Sequence, residues 1–322
     1  MANPQRSPKI EPTIAQKFAA WRAASAQGRP FPRTRHHIVL GDAREMQELT
    51  DPESVHLVVT SPPYWKLKRY DGAAGSGQLG HLDDYEAFLR ELDRVWQRCY
   101  DLLTPGGRMC VVVGDVCLPR RKAGRHFVVP LHADIAVHCR HIGFDYLTPI
   151  LWHKIANART EVEGNGAPFL GKPYEPNAII KNDVEYILMF RKPGRYRNPT
   201  PEQRMLSLID KESHARWFRA IWSDLPGSSR ERGHPAPYPV ELPYRLIRMF
   251  SFVGDTVLDP FLGTGSTTLA AVQANRSSIG YEIEPTYVRV AAERFRQLAF
   301  GVDVAFSTPD LKEGPDRSPS AS

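Results

Sequence analysis

Ser61, Pro62, Pro63 and Tyr64 follow directly on the apolar run VHLVV, with Trp65 next in the chain. Two adjacent prolines cannot extend a strand, because each fixes φ and lacks a backbone donor. The stretch TSPPYW therefore sets a hydroxyl, two stiffened carbonyls and two aromatic rings at one strand end. Its chemistry is that of hydrogen-bond acceptors beside flat apolar surface.

A second stretch, VLDPFLGTGSTTLAA (257–271), has a different character. A buried strand ends at Asp259, a tight turn carries Gly263 and Gly265, and a helix starts near Ser266. Glycines permit close backbone approach to a ligand and the positive φ of such turns. The helix start adds free N–H donors. About twenty residues on, the next strand ends in GYEIE, where an acid suits the two hydroxyls of a ribose. Glu282 and Glu284 compete for that role. No lysine precedes the Ser/Thr pair, so this is not a phosphate-cradling P-loop, and the third glycine of the dinucleotide pattern is missing. Taken alone, the stretch also fits a glycine turn without a ligand.

The elements around these stretches alternate. Strand-like runs are HHIVLGDA, VHLVVTS, RMCVVVGD, DTVLDPF and SSIGYEIE. FDYLTPILWHK and VEYILMFRK fit an antiparallel pair. AREMQEL, PLHADIAVHCRHIG, YPVELPYRLIRMF, STTLAAVQAN and TYVRVAAERFRQLAF read as helices. In DDYEAFLRELDRVWQRCYDLL, Phe88, Leu89, Leu92, Val95, Trp96, Cys99 and Leu102 or Leu103 recur at helical spacing. This alternation predicts a doubly wound, mainly parallel seven-stranded sheet with helices on both faces.

The chain of 322 residues is 42% hydrophobic and 24% charged. That size allows one large α/β domain with insertions, or two modest domains. No signal peptide is legible, and no run approaches the roughly 18 apolar residues of a membrane span. The four cysteines form no CxxC pair, so no metal site is expected. Reduced thiols fit a cytoplasmic protein. The net charge of +6 fits a polyanionic partner, although a plain basic protein would show the same value.

TSPPYW together with DPFLGTGSTT resembles the S-adenosylmethionine-dependent DNA amino-methyltransferases, which methylate N4 of cytosine or N6 of adenine. Their catalytic motif, [DNS]-P-P-[YFW], is here Ser61-Pro62-Pro63-Tyr64. It precedes the cofactor motif, the order of the family's β group. HPAPYP (234–239) resembles the family's HP-x-x-x-P stretch, with Tyr238 where lysine is usual, and LGDA (40–43) resembles its adenine-side motif. The resemblance covers residues 36–300. It implies a permuted Rossmann-like methyltransferase fold with an inserted target-recognition region.

By that resemblance, the catalytic residues are Ser61, Pro62, Pro63 and Tyr64. The Pro62 carbonyl and Ser61 Oγ accept the amine hydrogens and free the nitrogen lone pair, while Tyr64 stacks on a flipped base. S-adenosyl-L-methionine falls to Asp42, Ala43, His234, Pro235, Asp259, Pro260, Phe261, Gly263, Gly265, Ser266 and Glu282. Glu282 is preferred to Glu284 for the ribose, and Asp42 accepts from the adenine amine. Trp65, Lys66, Lys68 and Arg69 are the candidate DNA contacts, with ordinary packing an equal reading for Trp65.

The implied organisation is an N-terminal extension (1–35), a catalytic domain (36–305) and a disordered tail (306–322). Target recognition is expected at 155–181 and 194–235, and a closing loop at 66–80. Double-stranded DNA is the expected partner, without a membrane. A homodimer and a companion restriction endonuclease on a separate chain stay open. Ser61, where the adenine enzymes more often have Asp, points to cytosine N4; adenine N6 is the alternative. An RNA or protein amide methyltransferase would carry its motifs in the reverse order. A DNA-binding protein with a degenerate fold would not need both motifs intact.

Overall fold

The computed structural model describes residues 32–48, 50–65, 77–118, 120–154, 183–227, 238–296 and 303–307. The expected segments outside these ranges, including residues 1–31 of the N-terminal extension, most of the 66–80 loop and the 155–181 segment, lie outside the described residues.

A nine-stranded sheet forms the centre, in the order β11-β1-β10-β9-β2-β3-β7-β6-β8. Its strands are β1 (Arg35–Leu40), β2 (Val55–Thr60), β3 (Leu103–Val113), β6 (Asp145–His153), β7 (Val184–Arg191), β8 (Ile221–Trp222), β9 (Thr256–Asp259), β10 (Ser277–Glu282) and β11 (Asp303–Ser307). β4 (Val116–Leu118) and β5 (Phe127–Val129) form a separate antiparallel hairpin. All seven predicted strands are present. The count of seven is nonetheless too low, because a short edge strand extends the sheet on each side. β8 has two residues and no periodicity to read. β11 pairs with β1 and runs across the expected start of the tail at 306. A third departure is AREMQEL, which folds as a short 3-10 segment, Ala43–Glu48.

The pairing of β3 with β7 and of β7 with β6 is antiparallel; the other ladders of the sheet are parallel. β2 and β9 are neighbours, with Leu57 opposite Val257 and Val58 opposite Leu258. The two motif-bearing strands therefore end side by side at the switch point where open α/β sheets bind ligands.

Each sheet face is covered. On one, the Tyr85–Leu102 helix buries Phe88, Leu89, Leu92, Val95, Trp96, Cys99 and Leu102. Each buried Phe, Leu or Val among them stabilises the fold by about 1.5–3 kcal/mol relative to exposure. Asp84 caps this helix, accepting from the Ala87 N–H at 2.7 Å. On the other face, the Glu241–Phe250 and Ser266–Gln273 helices pack Leu242, Leu246, Ile247, Ala270 and Ala271 against Leu57, Val59 and Val257. The Leu131–Ile142 helix ends at Gly143, as expected. Cys99, Cys110 and Cys139 are buried free thiols. Among the described residues, no helix is long and apolar enough to cross a membrane, and no cluster of side chains could hold a metal ion.

Candidate active site

The base of the site is a buried carboxylate. Asp259, at the end of β9, is 1% exposed. It accepts from Thr60 Oγ1 at 2.7 Å, Thr267 Oγ1 at 2.6 Å, the Phe261 N–H at 3.1 Å and Tyr238 Oη at 3.3 Å. These bonds tie β2, β9, the glycine turn and the following helix together. Burial holds the Asp259 carboxyl above its usual range, although the hydrogen bonds oppose it. Tyr238 thus has a role the sequence did not reveal: it replaces the expected lysine with a neutral partner for Asp259.

The glycine turn has left-handed backbone at Gly263 (φ 56°) and Gly265 (φ 87°). A Cβ on Gly265 would lie 3.0 Å from Phe295. Its geometry is fixed from the neighbouring strand, because the Gly263 N–H donates to Glu282 Oε2 at 2.8 Å. The other Glu282 oxygen accepts from the Glu284 N–H at 2.9 Å. Burial pushes the Glu282 carboxyl up to about 7 against these two backbone bonds, with Asp259 and Glu284 adding to the rise.

A pocket opens over these strand ends. Its walls include Gly41, Asp42 and Ala43 after β1, Ser61–Tyr64 after β2, Pro260, Phe261 and Gly263 after β9, and Glu282 at the end of β10. Gly77–Gly80, the described end of the glycine-rich loop, closes one side. Both predicted stretches thus face one cavity. Glu282 lines it, whereas Glu284 does not. Glu284 instead receives Gln78 Nε2 at 3.1 Å and Thr286 Oγ1 at 2.8 Å. Asp259, Gly265 and Ser266 lie behind the wall and shape it.

Asp42 sits at the opposite side from the proline motif. Arg44 holds its carboxylate, with Nε at 2.9 Å from each oxygen, and also pairs with Glu91. Burial raises the Asp42 carboxyl, but the Arg44 hydrogen bonds and charge outweigh this and set it below its usual range. Arg44 is a second residue the sequence reading missed, though its position two residues from Asp42 was available to it.

Tyr64 is 4% exposed. Its hydroxyl receives Ser61 Oγ at 3.2 Å and donates to Glu185 Oε2 at 3.3 Å. Glu185 also receives Lys154 Nζ at 2.5 Å. Trp65 turns away from the cavity. Its indole donates to the Leu82 carbonyl at 2.9 Å and its ring lies 4.9 Å from that of Tyr85. Packing is therefore what the geometry assigns to Trp65. Its φ of 41° is rare for a bulky residue and reverses the chain after the motif.

Lys66, Lys68, Arg69, His234 and Pro235 lie outside the described residues. The described part of the second recognition segment is anchored to the sheet. Arg197 pairs with Asp255 ahead of β9, and the Ser207 hydroxyl receives the Val253 N–H at 2.9 Å. This stretch therefore packs at the far edge of the sheet, beside an arginine-bearing cleft lined by Arg108, Arg197, Arg204 and Arg248. It returns towards the site edge only at β8, which runs parallel to β6.

Fold and site together define an enzyme of the methyltransferase fold with its motif order permuted. The family model described as DNA methylase matches residues 55–293. The type II methyltransferase M.MjaI of Methanocaldococcus jannaschii is 40% identical over 300 residues, covering 84% of this chain and 95% of that protein. M.MthZI of Methanothermobacter thermautotrophicus is 35% identical over 285 residues, covering 82% and 78%. The structure of TTHA0409 from Thermus thermophilus, solved with S-adenosyl-L-methionine, superposes with a TM-score of 0.70 at 50% identity, covering 86% of this chain and all of that one. PvuII DNA methyltransferase shares the fold at 21% identity and a TM-score of 0.58. The chain belongs to the N6/N4 DNA methylase family and is a DNA methyltransferase.

Proposed function

We propose that the protein transfers a methyl group from S-adenosyl-L-methionine to the exocyclic N4 amine of a flipped cytosine in duplex DNA. The observation that carries this reading is Ser61 beside Pro62 and Pro63 on the wall of the cavity that Glu282 and Asp42 share. Bound S-adenosylmethionine supplies an electrophilic sulfonium methyl. The residues present fit it: Glu282 suits the ribose hydroxyls, Asp42 the adenine amine, and Phe261 the flat face of the ring.

The chain's own work is positioning. An exocyclic amine is a poor nucleophile, since its lone pair is delocalised into the base. The Pro62 carbonyl and Ser61 Oγ accept its hydrogens and draw the nitrogen towards tetrahedral geometry. Ser61 Oγ spends its own proton on Tyr64, which leaves its lone pairs for the amine. The Tyr64 ring stacks on the base, which must leave the duplex to reach it. Asp259 acts through the strand ends it joins, without touching ligand. Lys66, Lys68 and Arg69 contact phosphates, and target recognition falls to 155–181 and 194–235. The buried free thiols fit a cytoplasmic enzyme.

Nucleoside mass spectrometry of duplex DNA incubated with protein and cofactor tests the reading. N4-methylcytosine is the expected product. N6-methyladenine without N4-methylcytosine would replace cytosine by the alternative base, and no methylated base would reject the activity.

A further inference from the structure

Glu185 has no place in the sequence motifs, yet three strand ends bring it to the catalytic edge. It is the second residue of β7, Lys154 follows β6, and Ser61 follows β2. The β3 end closes the group: a Cβ on Gly114 would lie 3.3 Å from Glu185 and 3.6 Å from Tyr64. The contacts form one directed chain. Ser61 Oγ–H donates to Tyr64 Oη at 3.2 Å, and Tyr64 Oη–H donates to Glu185 Oε2 at 3.3 Å. Lys154 Nζ donates to Glu185 Oε1 at 2.5 Å and forms an ion pair with it. The Tyr64 hydroxyl also lies 3.4 Å from the Val112 carbonyl, and Glu185 is the charged acceptor of the two.

From this geometry we infer that Glu185 is the proton sink for the methylated amine, reached through Ser61 and Tyr64. The inference rests on the reading of an amine as methyl acceptor. As the N–C bond forms and the C–S bond breaks, positive charge builds on the amine, its hydrogens become strongly acidic, and one proton leaves in the same step. Its proton passes to Ser61 Oγ, the Ser61 proton passes to Tyr64 Oη, and the Tyr64 proton passes to Glu185 Oε2. The two hydroxyls end neutral, Glu185 ends protonated, and the base ends as a neutral N-methyl amine. Lys154 positions Glu185 for this step. Its ammonium also lies 5.0 Å from the centre of the Trp152 ring, which helps hold it in place. Glu185 acts through Tyr64 as the terminal proton acceptor and touches neither the base nor the cofactor.

The test is single-turnover methyl transfer by the full chain, using cofactor with a labelled methyl group and a duplex that the wild type modifies. Glu185→Gln keeps the side-chain volume and an acceptor for Tyr64 but is far less basic. Transfer should slow by about 10²-fold, the lower end of proton-transfer contributions. A solvent deuterium isotope effect should appear or grow, while the calorimetric Kd for cofactor and the melting temperature stay at wild-type values. Glu185→Asp should recover part of the rate. Wild-type rates in Glu185→Gln would overturn the inference, as would parallel loss of cofactor binding, which marks a structural role. A wild type that transfers methyl to no exocyclic amine would instead reject the activity itself.

Discussion

Thr60 Oγ1 donates to Asp259 Oδ1 at 2.7 Å, joining residues 199 positions apart in the chain. Each is the last residue of its strand, and each is followed by one of the two motifs. The bond sets the proline turn against the glycine turn. It explains how a permuted order, with the acceptor motif first, produces one cavity.

Removing this link should therefore cost stability before chemistry. Asp259→Ala leaves the hydroxyls of Thr60 and Thr267 and the Phe261 N–H without their acceptor. Each unsatisfied buried group costs about 1–3 kcal/mol, so a loss of roughly 3 kcal/mol or more is expected. Thr60→Val removes one bond and should cost about 1 kcal/mol. Urea midpoints measure both; equal, small effects would mean that Asp259 holds nothing together.

Glu282 gives a pH dependence of definite sign. Its folded carboxyl, at about 7, lies above the ordinary value of 4.5. Between those values the folded state binds the extra proton, so this contribution to stability is full below 4.5 and is lost as pH rises through about 7. His36 runs the other way. Burial lowers it from 6.5 to about 4, so its contribution is present above 6.5 and is lost as pH falls towards 4. The two offset each other in the acid range. Glu282→Gln removes one side, and its melting temperature should fall more steeply than the wild type's between pH 6.5 and 4.5. Cofactor affinity in the wild type should rise from about pH 6 to about 8, because the ribose hydroxyls need a charged acceptor; calorimetry across that range reads it.

The proline motif should separate binding from transfer. Tyr64→Ala removes the stacking ring, and Pro62→Ala releases the carbonyl's fixed direction. Both should lower methyl transfer by about 10²-fold or more while calorimetric cofactor binding persists. Equal loss of both functions would show that these residues hold the cofactor.

Arg44 is expected to hold Asp42 in its ionised, cavity-facing form. Arg44→Met should weaken cofactor binding by about tenfold, or about 1.4 kcal/mol, with little change in methyl transfer at saturating cofactor. An unchanged Kd would place Asp42's orientation in the backbone after β1 instead.

How much of this was readable in the chain depends on range. The seven predicted strands, the Tyr85–Leu102 helix and the glycine turn declare themselves through local periodicity and backbone chemistry. The adjacency of β2 and β9 emerges only from the sheet, where Leu57 lies opposite Val257 and Val58 opposite Leu258. Glu185 and Lys154 had no such local mark; only the pairing of β6 with β7 and of β7 with β3 brings them to Tyr64. Trp65 fitted a base contact and ordinary packing equally, and its positive φ and the Leu82 carbonyl decide for packing. The 194–235 segment was expected as target recognition, and nothing local in it shows that Arg197, Gln203 and Ser207 fasten its first part to the far edge through Asp255 and Val253.

Gly265 tests whether the turn's shape or its neighbours matter more. Its φ of 87° strains any L side chain, and the added Cβ would meet Phe295 at 3.0 Å and Ala291 at 3.3 Å. The left-handed backbone alone costs about 1–2 kcal/mol. The ring edge of Phe295 is buried at 2% exposure and has little room to withdraw. Gly265→Ala should therefore lose about 2 kcal/mol in urea unfolding, above the backbone term alone. The double variant Gly265→Ala/Phe295→Leu separates the causes. If crowding dominates, the smaller ring replacement should make the alanine less costly than it is beside Phe295. If the backbone dominates, the cost of the alanine should be the same in both backgrounds. Cofactor affinity should fall in Gly265→Ala even where the protein stays folded, because the turn that carries Gly263 towards Glu282 must shift to admit the methyl group.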